Sequence, residues 1–244
     1  MTRPPLGFEK VKGRTRPSAM KILASSDIHG RRPVYEWLLE VARDHHVEAI
    51  VLAGDLLGCP EGFDTPEEAQ RYESQGLTAL LASVALPVLY IMGNDDLVEL
   101  DSHSEMVDSI HGRRIELGRF SFVGYQYSPP FMGGTFEKPE TEIKTDLEAV
   151  TALLDSNTVF ITHTPALGIL DPGFGETQIG SRSVRELLES APYLVHVHGH
   201  SHAGFGRHER HFNVAAAGRS RAMILDLETM KHDVVELGRH GLEP

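Results

Sequence analysis

Three continuous apolar runs, separated by segments with helical spacing, each stop at a cluster of polar side chains. That repeated pattern confines the chain to an α/β architecture with a largely parallel sheet. The run Ile22-Leu23-Ala24 leads into Ser26-Asp27-Ile28-His29-Gly30, residues 49–53 lead into Gly54-Asp55, and residues 87–92 lead into Gly93-Asn94-Asp95-Asp96. Between the first two, residues 33–46 put Val34, Trp37, Leu38 and Val41 on one face, with Pro33 at the helix start. Residues 66–83 supply a second helix. Strand, helix, strand, helix, strand implies right-handed crossovers. In such sheets the working site lies beyond the carboxyl ends of the strands. All three polar clusters fall there.

The remainder continues the alternation less regularly. Residues 99–111 read as a short helix, 114–117 and 120–123 as strands, and 125–140 as a long loop bordering the site, with aromatics and Pro-Pro and Gly-Gly pairs. A helix over 141–154 precedes an apolar strand over 158–162, which delivers His163 to its end. A helix over 181–189 and a strand over 193–197 lead into His198-Gly199-His200-Ser201-His202, and short strands follow over 212–216, 221–227 and 231–236. The Pro-, Arg- and Lys-rich residues 1–19 read as a flexible tail ahead of one globular domain spanning 20–244.

Charge and cysteine usage narrow the function classes. A formal net charge of -12 argues against a general nucleic-acid or anionic-membrane surface, which calls for a basic stripe. The one cysteine, Cys59, allows no internal disulfide, and a reducing compartment, the cytoplasm, is the expected location. No apolar run reaches the ~18 residues of a membrane span. The sequence leaves oligomeric state open.

Collected, the polar residues at strand ends are Asp27, His29, Asp55, Asn94, His163, His200 and His202. Seven ligand-type side chains exceed the four of a tetrahedral zinc site and suit two adjacent divalent cations sharing a carboxylate. The mixture of imidazole, carboxylate and amide oxygen fits Mn, Fe, Zn, Co or Ni rather than an all-oxygen calcium site. Gly30, Gly54, Gly93 and Gly199 permit the sharp turns that close approach to a metal demands. His196 and His198 alternate on one strand face, either as packed core residues or as support for a ligand. Tyr125, Tyr127, Phe131 and Arg219 are substrate-contact candidates by their position in the chain.

The ordered set Asp27-Ile-His29, Gly54-Asp55, Gly93-Asn94-Asp95-Asp96, His163 and Gly199-His200-Ser-His202 resembles the calcineurin-like metallophosphoesterase superfamily, over residues 20–202. The nearest resemblance is to its small bacterial and archaeal phosphodiesterase-like branches. It implies a four-layer αββα sandwich of two mixed β-sheets, with the strands after residue 112 forming the second sheet. It implies one metal on Asp27, His29, Asp55 and His202, and another on Asp55, Asn94, His163 and His200, bridged by Asp55. The implied activity is hydrolysis of a small-molecule phosphate ester, a diester above all, by metal-activated hydroxide. Nucleic acid is not the expected substrate. Where the family usually has histidine, this chain has Asp95, the candidate catalytic residue here. A carboxylate in that place protonates a leaving group well only if burial or Asp96 raises its pKa. The competing expectation is a scaffold protein on the same fold, catalytically weak or inactive.

Overall fold

The apolar runs are continuous because both faces of their strands are covered. The computed structural model describes residues 20–101, 104–175 and 177–238; the expected tail, 1–19, and residues 239–244 of the expected domain lie outside them. In β1 (Lys21–Ser25), Leu23 faces an outer helical layer while Ile22 and Ala24 face a second sheet. In β2 (Ala49–Ala53), Ile50 and Leu52 take the first side and Ala49, Val51 and Ala53 the second. A strand that buries both faces has no position left for alternating polar residues.

The helical layer consists of α1 (Arg32–Asp44) and α2 (Pro66–Ala82). Tyr35, Leu39 and Ala42 of α1 are buried together with Val34, Leu38 and Val41, while Trp37 packs at the margin. The buried stripe is therefore wider than its spacing predicts. At the start of α2, the Thr65 side chain accepts a hydrogen bond from the Glu68 N–H at 3.2 Å, and Glu67 and Glu68 sit in the first turn.

β3 (Val88–Ile91) and β4 (Val107–Ser109) extend the first sheet, so that β1, β2, β3 and β4 all run parallel. The helix expected over 99–111 is absent from its described residues. Val107 and Ile110 are the apolar positions that the segment buries near its end, too few for a helical stripe, and the free edge of β3 takes up 107–109 in the register Val88↔Val107.

The second sheet begins with β5 (Arg114–Leu117), antiparallel to β6 (Phe120–Tyr125). β6, β7 (Thr158–Thr162), β8 (Val195–His198) and β10 (His211–Asn213) follow in parallel, and β9 (Gly206–His208) closes the edge antiparallel to β10. The strand expected over 212–216 ends early, at Asn213, and β9 has no counterpart in the sequence reading. α3 (Glu140–Thr151) and α4 (Arg182–Ser190) cover the outer face of this sheet, where Val123, Phe160, Ile143 and Val184 meet.

The chain then leaves the second sheet. β11 (Arg221–Asp226) returns to pair antiparallel with β1, and β12 (His232–Glu236) pairs antiparallel with β11. The expectation that every strand after residue 112 joins the second sheet is thus wrong for these two. β1 would otherwise be an open edge lined by apolar side chains, and β11 covers it with Ala222, Met223, Ile224 and Leu225, all buried. The layers run helices, sheet, sheet, helices, with the apolar seam between the sheets built from Val51, Ile91, Phe122, Ile161 and Val197 among others. No helix among the described residues is long and apolar enough to cross a membrane.

Candidate metal centre

The parallel strands of both sheets deliver their carboxyl ends to one edge of the sandwich. After β1, Asp27 and His29 adopt left-handed backbone (φ 54° and 50°), and after β2 so does Asp55 (φ 52°). The two loops are laced together: the N–H groups of Asp27, Ile28, His29 and Gly30 donate to the carbonyls of Gly54, Asp55, Asp55 and Leu56 at 2.8–3.0 Å. The buried Asp96 carboxylate joins the third loop, accepting from Leu56 N–H at 2.9 Å, Leu57 N–H at 2.8 Å and Gly93 N–H at 2.8 Å. From the second sheet, the Gly199 N–H donates to the His163 carbonyl at 3.0 Å, and the His200 N–H donates to Asp27 Oδ2 at 3.0 Å.

These loops bring all seven predicted ligand-type residues together. Asp27, His29 and His202 each offer a donor atom within 4.8 Å of the others, as do Asp55, His163 and His200. His202 Nε2 lies 3.1 Å from Asp27 Oδ1. Asn94 Oδ1 lies 2.9 Å from His163 Nε2, which puts it in the second group. Asp55 stands between the groups, with Oδ1 3.4 Å from His163 Nε2 and Oδ2 4.0 Å from His29 Nε2. His163 Nδ1–H donates to the Ala53 carbonyl at 2.9 Å, which leaves Nε2 as the ring nitrogen that faces Asp55 and Asn94.

Asp95 belongs to the same cluster. Its Oδ2 lies 3.7 Å from His29 Nδ1, its N–H donates to Asp55 Oδ1 at 2.9 Å, and its Oδ1 accepts from Asn94 Nδ2 at 3.0 Å. Its side chain is half exposed, on the rim of the cluster rather than beneath it.

The electrostatics describe a site with surplus buried negative charge. Burial opposes ionisation of Asp27, yet hydrogen bonds from His202 and Ser26 and the nearby His163 hold its pKa below the usual carboxylate range. Burial likewise opposes charge on His163, but Asp55 and Asp27 overcome it and lift that imidazole to about 10. Burial and the neighbouring Asp55 raise Asp95, and the same two causes push Asp96 up to about 7 against its backbone hydrogen bonds. His200 is lowered to about 4 by burial and by His163. Carboxylates that must draw a proton onto a buried imidazole form a donor set suited to divalent cations.

The other candidates separate. His196 and His198 lie on the face of β8 opposite Val195 and Val197, with the His196 ring stacked against Phe160. His196 takes part in a polar chain beneath the helices. Because the Thr162 hydroxyl donates to the Thr164 carbonyl, the chain runs one way: Tyr193 Oη–H to His211 Nε2 at 3.3 Å, His211 Nδ1–H to His196 Nδ1 at 3.2 Å, and His196 Nε2–H to Thr162 Oγ1 at 2.8 Å. Tyr125 is no rim residue: it is fully buried, and its hydroxyl donates to Asp146 at 2.9 Å. Tyr127 is half-buried under the Lys138 ammonium, Arg219 is exposed, and the Phe131 ring lies 5.0 Å from that of His200.

Sequence reasoning missed the side chains that hold the loops. Ser26 Oγ–H donates to Asp27 Oδ2. Gln70 of α2 donates to the Asp95 carbonyl at 2.9 Å and accepts from the Leu97 N–H at 2.6 Å. Ser26 lies beside a candidate ligand and was findable. Gln70 is 25 residues from its partner, and nothing in its neighbourhood marks it.

Comparison with known proteins agrees with this fold. A probable rhamnogalacturonate lyase C from Emericella nidulans is 31% identical over 114 residues, 46% of this chain, and the match spans only about a tenth (10%) of that protein's length. The solved structure of TT1561 of Thermus thermophilus superposes with a TM-score of 0.63 at 19% identity, covering 90% of this chain and 99% of that one. A dimetal phosphatase from Danio rerio superposes with a TM-score of 0.58 at 12% identity, covering 89% and 99%. Both structural likenesses are likenesses of fold. Residues 20–229, from the start of β1 to beyond β11, match the model of the calcineurin-like phosphoesterase superfamily domain, and the chain belongs to that superfamily.

Proposed function

We propose that the protein is a dinuclear metal-dependent phosphoesterase that prefers phosphodiesters. The observation that carries this reading is the position of Asp55, whose two carboxylate oxygens face His163 on one side and His29 on the other. Asp27, His29, Asp55 and His202 would hold one cation, and Asp55, Asn94, His163 and His200 the other. Divalent cations there supply Lewis-acid polarisation of phosphoryl oxygens and a lowered pKa for bound water. The chain's own contribution is to fix these donors in a buried, hydrogen-bonded cradle and to set the charge that a substrate meets.

That charge favours diesters. Asp95 stands at the rim, 3.7 Å from His29, where a monoester dianion would meet more repulsion than a singly charged diester. Burial and Asp55 raise the Asp95 pKa from an ordinary ~3.9, against ~6.5 for the imidazole it stands in for, and we assign it no leaving-group proton. Esters with good leaving groups need no such proton.

The test is hydrolysis of bis-p-nitrophenyl phosphate by chelator-stripped protein with Mn, Ni, Co, Zn or Mg returned. Activity should reappear with metal, be absent in Asp55→Asn and His163→Ala, and exceed that toward alkyl monoesters. No activity with any metal, although two ions bind per chain, would replace this reading with a scaffold. Faster cleavage of alkyl monoesters would refute the role given to Asp95.

A further inference from the structure

We propose that Phe131 is a specificity-determining wall beside the second ligand group, selecting phosphate esters that carry a flat aromatic substituent. This rests on the phosphoesterase reading above and adds to it the class of substituent.

A single exposed phenylalanine would need no explanation. Phe131 is distinguished by how firmly it is held and by what it touches. The loop between β6 and α3 winds around one carboxylate: the N–H groups of Phe131, Met132 and Gly133 all donate to Glu137, at 2.9, 2.8 and 2.9 Å. Two backbone hydrogen bonds close its base, Ser128 N–H to the Phe136 carbonyl at 3.0 Å and Lys138 N–H to the Ser128 carbonyl at 2.9 Å. Three donors converging on one acceptor hold the Glu137 pKa below its usual range despite partial burial, and they leave the loop tip little freedom.

The loop is also seated on the site. Gly134 approaches the Asn94 carbonyl so closely that a Cβ there would lie 2.1 Å from the oxygen. The Phe131 ring meets the His200 ring edge-on, with centroids 5.0 Å apart and planes at 79°. Asn94 and His200 belong to the same ligand group, so both anchors fall on one side of the centre. Phe131 remains 42% exposed and Met132 75% exposed, an apolar surface facing outward from a cluster that is otherwise charged or polar.

A phosphoryl group reaching Asp55, His163 and His200 brings its ester substituent past this ring. A flat aromatic substituent can lie against Phe131 in stacked or edge-to-face contact, whereas a methyl group covers little of it. Phe131 therefore reads the substituent, and Glu137 is a positioning residue that presents it.

The experiment is isothermal titration calorimetry of the manganese-loaded chain with methyl(phenyl)phosphinate and dimethylphosphinate, which share a singly charged phosphinate head, as a diester has, and contain no ester bond to turn over. Wild type should bind the phenyl compound about two- to tenfold more tightly. In Phe131→Ala the preference should vanish, the phenyl compound losing the advantage of about two- to tenfold that sets it apart. Phe131→Leu should keep part of it, and Glu137→Gln should weaken it with Phe131 intact. A preference that survives in Phe131→Ala would overturn the proposal, as would its absence in wild type or an equal loss of both ligands in Phe131→Ala. If neither phosphinate binds wild type with its metals in place and bis-p-nitrophenyl phosphate is not hydrolysed either, the phosphoesterase reading falls and takes this proposal with it. Equal binding of the two removes this proposal alone.

Discussion

Because Asp55 faces both ligand groups, removing its carboxylate should cost the protein both cations, whereas removing an outer ligand should cost one. The comparison is Asp55→Ala against His202→Ala, which touches only the Asp27 group. A ligand that binds only the native state stabilises by about 2.7 kcal/mol per site at a hundred times its Kd, and two independent sites by about 5.4 kcal/mol. For a domain of this size each kcal/mol moves Tm by about 2–4 °C, so manganese should raise the wild-type Tm by about 11–22 °C over the chelated protein. His202→Ala should keep about half of that rise and Asp55→Ala almost none. The assay is thermal unfolding by circular dichroism, with each variant measured in chelator and in manganese. Taking the difference within each variant cancels whatever the substitution does to the metal-free fold. An Asp55→Ala protein that keeps half or more of the wild-type shift would refute the shared-carboxylate geometry. So would a His202→Ala protein that loses all of it.

A second prediction concerns Gly199, where a Cβ would lie 2.3 Å from Ser26 Oγ and 2.5 Å from Asp27 Oδ2. Gly199→Ala should leave the far-UV circular dichroism unchanged while weakening manganese binding at least tenfold in equilibrium dialysis; unchanged affinity would show that the contact yields freely. A third concerns acid stability, since His196 and His211 must stay neutral for His196 Nδ1 to accept the His211 proton. Burial lowers both, His211 to about 4, so the unfolded chain takes up protons below ~6.5 before the native one does, and stability falls as pH drops from there toward 4. In metal-free protein, His211→Gln should lose Tm less steeply than wild type over that window, and parallel slopes would refute the assignment.

The parts of this fold that were legible in the sequence are those in which local pattern and tertiary role coincide. β2 and β7 are buried on both faces; an unbroken apolar run marks β2 to the residue, and in β7 the run Val159-Phe160-Ile161 is bounded by two β-branched threonines. The ligand-type residues were legible because each follows such a run, and the end of a parallel strand is where a side chain can face a site. Where pairing partners decide the outcome, the sequence said less. Residues 107–109 became an edge strand because β3 had an open side, and β11 rejoined the first sheet because β1 did. Neither vacancy is written in the segment that fills it. Gln70 was invisible for the same reason, since its role is defined by a loop distant in sequence.

The strand-end motifs are legible for a further physical reason, which lies in their backbone. Asp27, His29, Asp55 and His200 all hold left-handed φ angles between 50° and 64°, a conformation that costs an ordinary residue ~1–2 kcal/mol. In Asp27-Ile28-His29, the Ile28 side chain is fully buried in the core beneath α1 and α2, while the residues on either side turn back toward the cluster. The spacing Asp-x-His thus combines two candidate ligands with one core anchor, and the anchor holds the strained turn in place. The lacing of Asp27, Ile28, His29 and Gly30 onto the Asp55 loop supplies the compensating hydrogen bonds. Such strain persists only where surrounding structure over-determines it, so drift in any one element would relax the donors out of range. It follows that the centre depends on the packing beneath it as much as on its ligands. Ile28→Ala should therefore weaken manganese binding in equilibrium dialysis while the far-UV circular dichroism stays native. Wild-type affinity in that variant would show that the turn holds its shape without the anchor.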